Sequence, residues 1–162
     1  MLKEIGYHRE ATLLYAKRWA LSRNPHYFDF EHLGGDCTNF ASQCIYAGSN
    51  VMNYTPTMGW YYNSIRDRTP SWTGVQYLYN FLVKNKSVGP YAVETDQEHI
   101  QPGDIVQLGN SQEYYHSPVI VAIEGGRIYL AAHTIDAYMR PLDTYVYERA
   151  RFLHIEGVRK WQ

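Results

Sequence analysis

At 162 residues the chain is the length of a single domain. It is long enough to bury a sizeable core, with roughly 70% of its unfolded surface lost on folding. A formal net charge of −1 without any basic block or stripe argues against a nucleic-acid partner. No run of about 18 apolar residues is present, so a membrane-spanning helix is excluded. Glu4, His8, Arg9, Glu10, Lys17 and Arg18 crowd the N-terminal stretch, which no signal-peptide core would tolerate. The chain is therefore expected to be cytoplasmic, or a secreted domain whose export signal is absent.

From Tyr7 to Leu21 the pattern is helical, with Ala11, Leu14, Tyr15 and Trp19 as the apolar face and Asn24-Pro25 ending it. A mixed loop follows. Then come Gly34-Gly35-Asp36-Cys37-Thr38-Asn39-Phe40-Ala41-Ser42-Gln43. Asp36 is a strong N-cap type. Cys37, Phe40, Ala41, Cys44 and Ile45 recur at the spacing of one helix face, and Gly48 falls where a helix would stop. This predicts a buried helix with Cys37 at its first position. A helix N-terminus favours the thiolate through its free N–H groups and dipole, while an ionised Asp36 works against it. Cys44 lies two turns further on, a rise of ~10.5 Å, beyond the reach of a disulfide or of one shared metal ion. No structural metal and no cofactor are expected.

Asn50 to Pro70 is an aperiodic aromatic segment. Together with Trp72 it offers Trp60, Tyr61 and Tyr62 as the lining of a substrate groove in a chain of 16 Tyr and 4 Trp. Thr73 and Gln76 fit a capping box for a third helix carrying Val75, Leu78, Phe81 and Leu82. Ser87 to Gln101 reads as a connection with little structure. From Pro102-Gly103 the period changes to that of strands. These are expected at Asp104–Leu108, Ser117–Ile123, Arg127–His133, Thr144–Tyr147 and Ala150–Ile155, with a polar loop from Gly109 to Tyr115 and a hairpin turn at Gly125-Gly126. Helices first and strands after argue an α+β fold, with N-terminal helices packed on a central antiparallel sheet.

The hairpin permits a register argument. With Glu124 opposite Arg127, counting back along both strands sets His116 opposite Ile135, and His133 becomes its diagonal neighbour at ~7–8 Å. His116 would then accept the thiol proton and His133 would hold His116 in the right tautomer. Asp136 is the second choice for that orienting role. His8, His26, His32 and His99 sit in polar context, and His154 alternates with Phe152 on a strand, as a structural residue would.

The stretch from Gly34 to Gln43 resembles the signature of the bacterial putative amidase domain family, grouped with the papain-like superfamily of NlpC-type and CHAP-type cell-wall hydrolases. Tyr7-His8-Arg9-Glu10-Ala11, Trp72, Pro102-Gly103-Asp104, His116-Ser117 and Ala132-His133-Thr134 match in order. The resemblance spans nearly the whole chain, taken as one domain over residues 1–162. It implies a nucleophile on a helix packed against an antiparallel sheet, and a Cys-His dyad completed by a polar residue on the next strand. Those roles fall on Cys37, His116 and His133. The implied substrate is a peptide or a peptidoglycan stem. The expected chemistry is attack by Cys37 on an amide carbonyl, with the Cys37 backbone N–H and Tyr27 as candidate oxyanion donors. The rivals are a catalytically inactive domain that binds wall glycan or peptide, and a thiol-dependent acyltransferase.

Overall fold

The computed structural model describes residues 1–162. In chain order the elements are β1 (Leu2–Glu4), α1 (Arg9–Trp19), α2 (Cys37–Ser49), β2 (Tyr62–Ser64), β3 (Asp67–Arg68), α3 (Pro70–Thr73), α4 (Val75–Lys84), β4 (Gly89–Thr95), β5 (Ile105–Gly109), β6 (Tyr114–His116), β7 (Val119–Glu124), β8 (Arg127–Ala132), β9 (Ala137–Pro141) and β10 (Arg149–Trp161). Eight strands form one antiparallel sheet in the order β1-β10-β5-β7-β8-β9, with β4 also on β10 and β6 also on β5; β2 and β3 make a separate small hairpin. The mixed α+β architecture with its large antiparallel sheet is the expected one.

The larger apolar cluster lies between the helices and one face of the sheet. It joins Phe40, Cys44 and Ile45 of α2 and Leu78 and Leu82 of α4 to Ile105, Val119, Ala131 and Leu153. A smaller cluster, including Val106, Leu108, Ile120, Leu130 and Phe152, covers the opposite face. The alternation of Ile105 with Val106 and of Val119 with Ile120 between the clusters is the two-residue period of strands buried on both faces.

Helix α2 starts at Cys37 as the sequence predicts, but it is sunk almost all round: eleven of its thirteen residues are buried. Its polar side chains are accordingly paired. Ser42 Oγ accepts the Trp60 Nε1–H at 3.1 Å and donates to the Trp72 carbonyl at 2.9 Å; Asn39 Oδ1 accepts the Trp72 Nε1–H at 3.0 Å. Gly48 does not stop the helix, which runs to Ser49 and ends on Asn50 in the left-handed conformation. A Cβ at Gly48 would lie 2.1 Å from Thr12 Oγ1, so this glycine permits α1 and α2 to touch. The buried stripe of α1 is accordingly Thr12 and Ala16, and Leu14, assigned inward from spacing, is exposed.

Other expectations need correction. Gly74, not Thr73, caps α4, and no side chain closes a capping box: Thr73 accepts from Arg68, and Gln76 donates to Asn80. The supposed unstructured stretch contains β4, paired along β10, and the polar loop contains β6. Thr144–Tyr147 is not a strand; its first residue closes a 3-10 turn (Leu142–Thr144), and β9 lies just before that turn. β4, β6 and β9 are short or interrupted by Gly and Pro, and each exists because a longer strand offers it a hydrogen-bonding edge.

Candidate active site

The turn before α2 sets the position of Cys37. Gly34 and Gly35 adopt φ of 92° and 99°, which only glycine takes without strain. The Asp36 N–H donates to Thr134 Oγ1 at 2.9 Å. The Asp36 side chain does not cap the helix. Its Oδ1 accepts the Phe30 N–H at 2.8 Å and the Asn39 Nδ2–H at 2.9 Å, and its Oδ2 lies 2.5 Å from His133 Nδ1. The first-turn N–H groups of Cys37, Thr38 and Asn39 are therefore not taken by a side-chain cap, and the positive end of the helix stays directed at the cysteine.

Cys37 is 8% exposed. Its Sγ lies 3.9 Å from the Tyr115 carbonyl oxygen and 3.7 Å from Thr38 Oγ1, and the Thr38 hydroxyl continues to Ser117 Oγ at 3.1 Å. Burial pushes the thiol pKa up, against opposing pulls from the Thr38 hydroxyl and the Ser117 backbone. In the resting arrangement the thiol is thus neutral and set against the main chain on both sides of His116.

His116 ends β6. It is 9% exposed and sits opposite Leu108, and its imidazole makes no hydrogen bond with a protein group. Burial, helped by the charge of Arg140, lowers its pKa to about 4. The ring lies 6.0 Å from that of Tyr145, on the side of Leu108, whereas the next residue, Ser117, turns toward α2 through Thr38 and Gln107. The Cys37 sulfur and the His116 segment are brought together, but the thiol bonds to the Tyr115 carbonyl and not to the imidazole.

His133 does not orient His116. Its Nδ1 faces Asp36 and its Nε2 faces the Trp19 carbonyl at 2.8 Å, the ring stacks on Phe40 at 4.1 Å, and neither nitrogen remains for a second histidine. The register explains why. Glu124 does pair with Arg127, but the ladder slips between Ile120 and Ala122, so that Ile120 pairs with Leu130 and Val119 with Ala131. Continued outward, that ladder brings His133 level with Ser117, and one bulged residue has moved it to the other face from His116.

The secondary candidates fall elsewhere. Asp136 makes a two-pronged ion pair with Arg23 at 2.7 and 3.0 Å, and Arg23 also reaches Asp29 and Glu31. Tyr27 stacks on Trp72 and lies tilted against Tyr62; burial raises its pKa to about 12, and its hydroxyl touches no group of the cysteine. Trp60 and Trp72 are fully buried and Tyr62 is 6% exposed, so these three belong to the core rather than to a groove. Tyr61 alone of the four is partly open, donating to Asp67. A cavity of about 350 Å³ between the Asn53–Met58 loop and α4 is lined by neither Cys37 nor His116. Thr134, Tyr145 and Arg140 escape a reading of the sequence, because they act through β9 and its flanking turns, for which there is no periodic signal.

Comparison with known proteins gives a consistent outcome. The family described as "Putative amidase domain" matches residues 6–155. An uncharacterized Bacillus subtilis (strain 168) protein, YhbB, is 31% identical over 140 residues, which is 83% of this chain and 43% of that protein. The chain thus spans less than half the length of that relative. No solved structure matches.

Proposed function

Because the chain belongs to the putative amidase domain family, we propose that it is a cysteine-dependent amidase of papain-like, NlpC-type character, with Cys37 as nucleophile and His116 as general base. The observation that carries this reading is the contact of the Cys37 sulfur, at the uncapped start of a buried helix, with the strand segment that presents His116. The imidazole has no protein partner and is unprotonated above its lowered pKa, so its lone pair is open, although burial keeps it a weak base.

In the first step the imidazole must swing in from the Leu108 side of the sheet and the thiol must leave the Tyr115 carbonyl, and its proton then passes to His116. Sulfur attacks the amide carbon, and the oxyanion that forms lies at the N–H groups opening α2. The C–N bond then breaks, the leaving amine takes the proton from His116, and a thioester remains. Water, deprotonated by His116, attacks the thioester; the carboxylic acid leaves and the thiol is restored. His133 supports the site without touching the reaction, by tying Asp36 to β8. A peptide, such as a peptidoglycan stem peptide, is the substrate class in keeping with the resemblance. The alternative of binding without turnover is favoured by one observation, the raised pKa of a thiol that is not bonded to an imidazole.

The test is hydrolysis of peptidoglycan fragments and small peptide amides by wild type and Cys37→Ala. Loss of turnover by at least about a thousandfold is expected for a removed nucleophile. Equal turnover would remove Cys37 from the mechanism.

A further inference from the structure

Four arginines meet carboxylates: Arg9 with Asp104, Arg23 with Asp136, Arg127 with Asp143 and Arg159 with Glu4. Arg140 on β9 meets none. Its Nε donates to Thr144 Oγ1 and its Nη2 to the Thr144 carbonyl, each at 2.9 Å, and Nη1 makes no hydrogen bond. The guanidinium carbon stands 3.9 Å from the centre of the Tyr145 ring, the same ring that lies 6.0 Å from His116. A half-buried cation is thus held rigidly beside the candidate base with one edge unused and no counter-charge.

That placement opposes the base. A cation close to an imidazole disfavours the protonated ring, and Arg140 adds to burial in holding His116 down. Anchoring to Thr144 does not require a charge, since a hydroxyl and a carbonyl would accept equally from a neutral amide. What a fixed planar guanidinium does that an amide does not is bind a carboxylate strongly and directionally.

We infer that Arg140 recognises a carboxylate carried by the substrate close to the scissile bond, so that this enzyme acts on acidic peptides. The inference rests on the amidase reading of Cys37 and His116. The groups that face His116 are the Tyr145 ring, the Arg140 charge, the Leu108 side chain across the strand pair and, along its own backbone, the Cys37 thiol. A carboxylate docking on Arg140 neutralises the one charge in that set. Substrate binding therefore lifts the smaller of the two effects that hold His116 down, burial being the larger.

Iodoacetate and iodoacetamide, which differ chiefly in charge, test this on the intact protein. Their rates of Cys37 alkylation are followed by mass spectrometry, with Cys44 fully buried. The iodoacetate-to-iodoacetamide ratio is expected to fall about tenfold in Arg140→Gln, the low end of electrostatic steering, and to hold in Arg140→Lys. Because both reagents meet the same folded population, the ratio is insensitive to a change in stability. In parallel, NMR titration of His116 with N-acetyl-L-glutamate added should show its pKa rising in wild type and unmoved by the ligand in Arg140→Gln. An unchanged alkylation ratio, or, where the thiol is inert to both reagents, a His116 titration that N-acetyl-L-glutamate does not move in wild type, overturns the role of Arg140. The amidase reading stands or falls separately, on the Cys37→Ala comparison.

Discussion

Two histidines flank Cys37, and they are in opposite states. His133 is 1% exposed, stacked on Phe40, with both nitrogens engaged by Asp36 and Trp19. His116 is also buried, yet its ring has no hydrogen bond to the protein, and its pKa is driven to about 4. An imidazole with both nitrogens engaged is a fastening: it stabilises one geometry and has no free lone pair to offer a second group. An imidazole buried without partners costs stability in its charged form, so it stays neutral with its lone pair uncommitted. On the proposed reading, the pattern of bonding rather than proximity to the thiol separates structural support from chemistry.

The sharpest way to break this contrast is to remove each ring in turn. His116→Asn should lower kcat/KM by roughly 10²–10⁴-fold, the range for a lost general base, with little change in melting temperature at pH 7.5. Steady-state kinetics beside thermal unfolding measures both. His133→Phe keeps the ring stacking but strips Asp36 of a buried partner. It should destabilise the fold by about 3 kcal/mol in urea unfolding, while kcat per folded molecule stays within about threefold. If the two variants exchanged these signatures, the assignment of roles would be inverted.

Proton linkage sharpens the comparison further. His116 titrates at 6.5 when unperturbed and at about 4 in the fold. Between those values the unfolded chain binds the extra proton, so the stabilisation is complete above pH 6.5 and is lost as pH falls toward 4. The full effect is about 3 kcal/mol. Unfolding at pH 7.5 and at pH 4.5 should therefore cost wild type more stability than His116→Asn; an equal loss in both would show that His116 is not held neutral. The smallest effect belongs to Asp136→Asn. Its ion pair with Arg23 is about one-third exposed, so the change should be under about 1 kcal/mol with kcat unaltered. A large fall in kcat would return Asp136 to the reaction.

What was readable in the chain divides along the same physical line. The buried helix beginning at Cys37, the hairpin at Gly125-Gly126 and the strands beside it follow from local patterns of turn residues and apolar period. Trp60, Tyr62 and Trp72 could not be assigned from composition, since an aromatic ring serves a groove or a core equally; burial beneath α2 decided for the core. Asp36 is an N-cap by residue type, yet its carboxylate bonds Phe30, Asn39 and His133, partners up to 97 residues away.

The sequence by itself determined the helix-borne cysteine, the longer strands β5, β7, β8 and β10, and the residue types able to carry amide chemistry, because these are written within a few turns of chain. The tertiary structure alone decided which histidine is free. A single bulge at Val121 reverses the face of every residue beyond it on the paired strand, and strand pairing across the sheet, rather than spacing along the chain, set the surroundings of His116, His133 and Arg140.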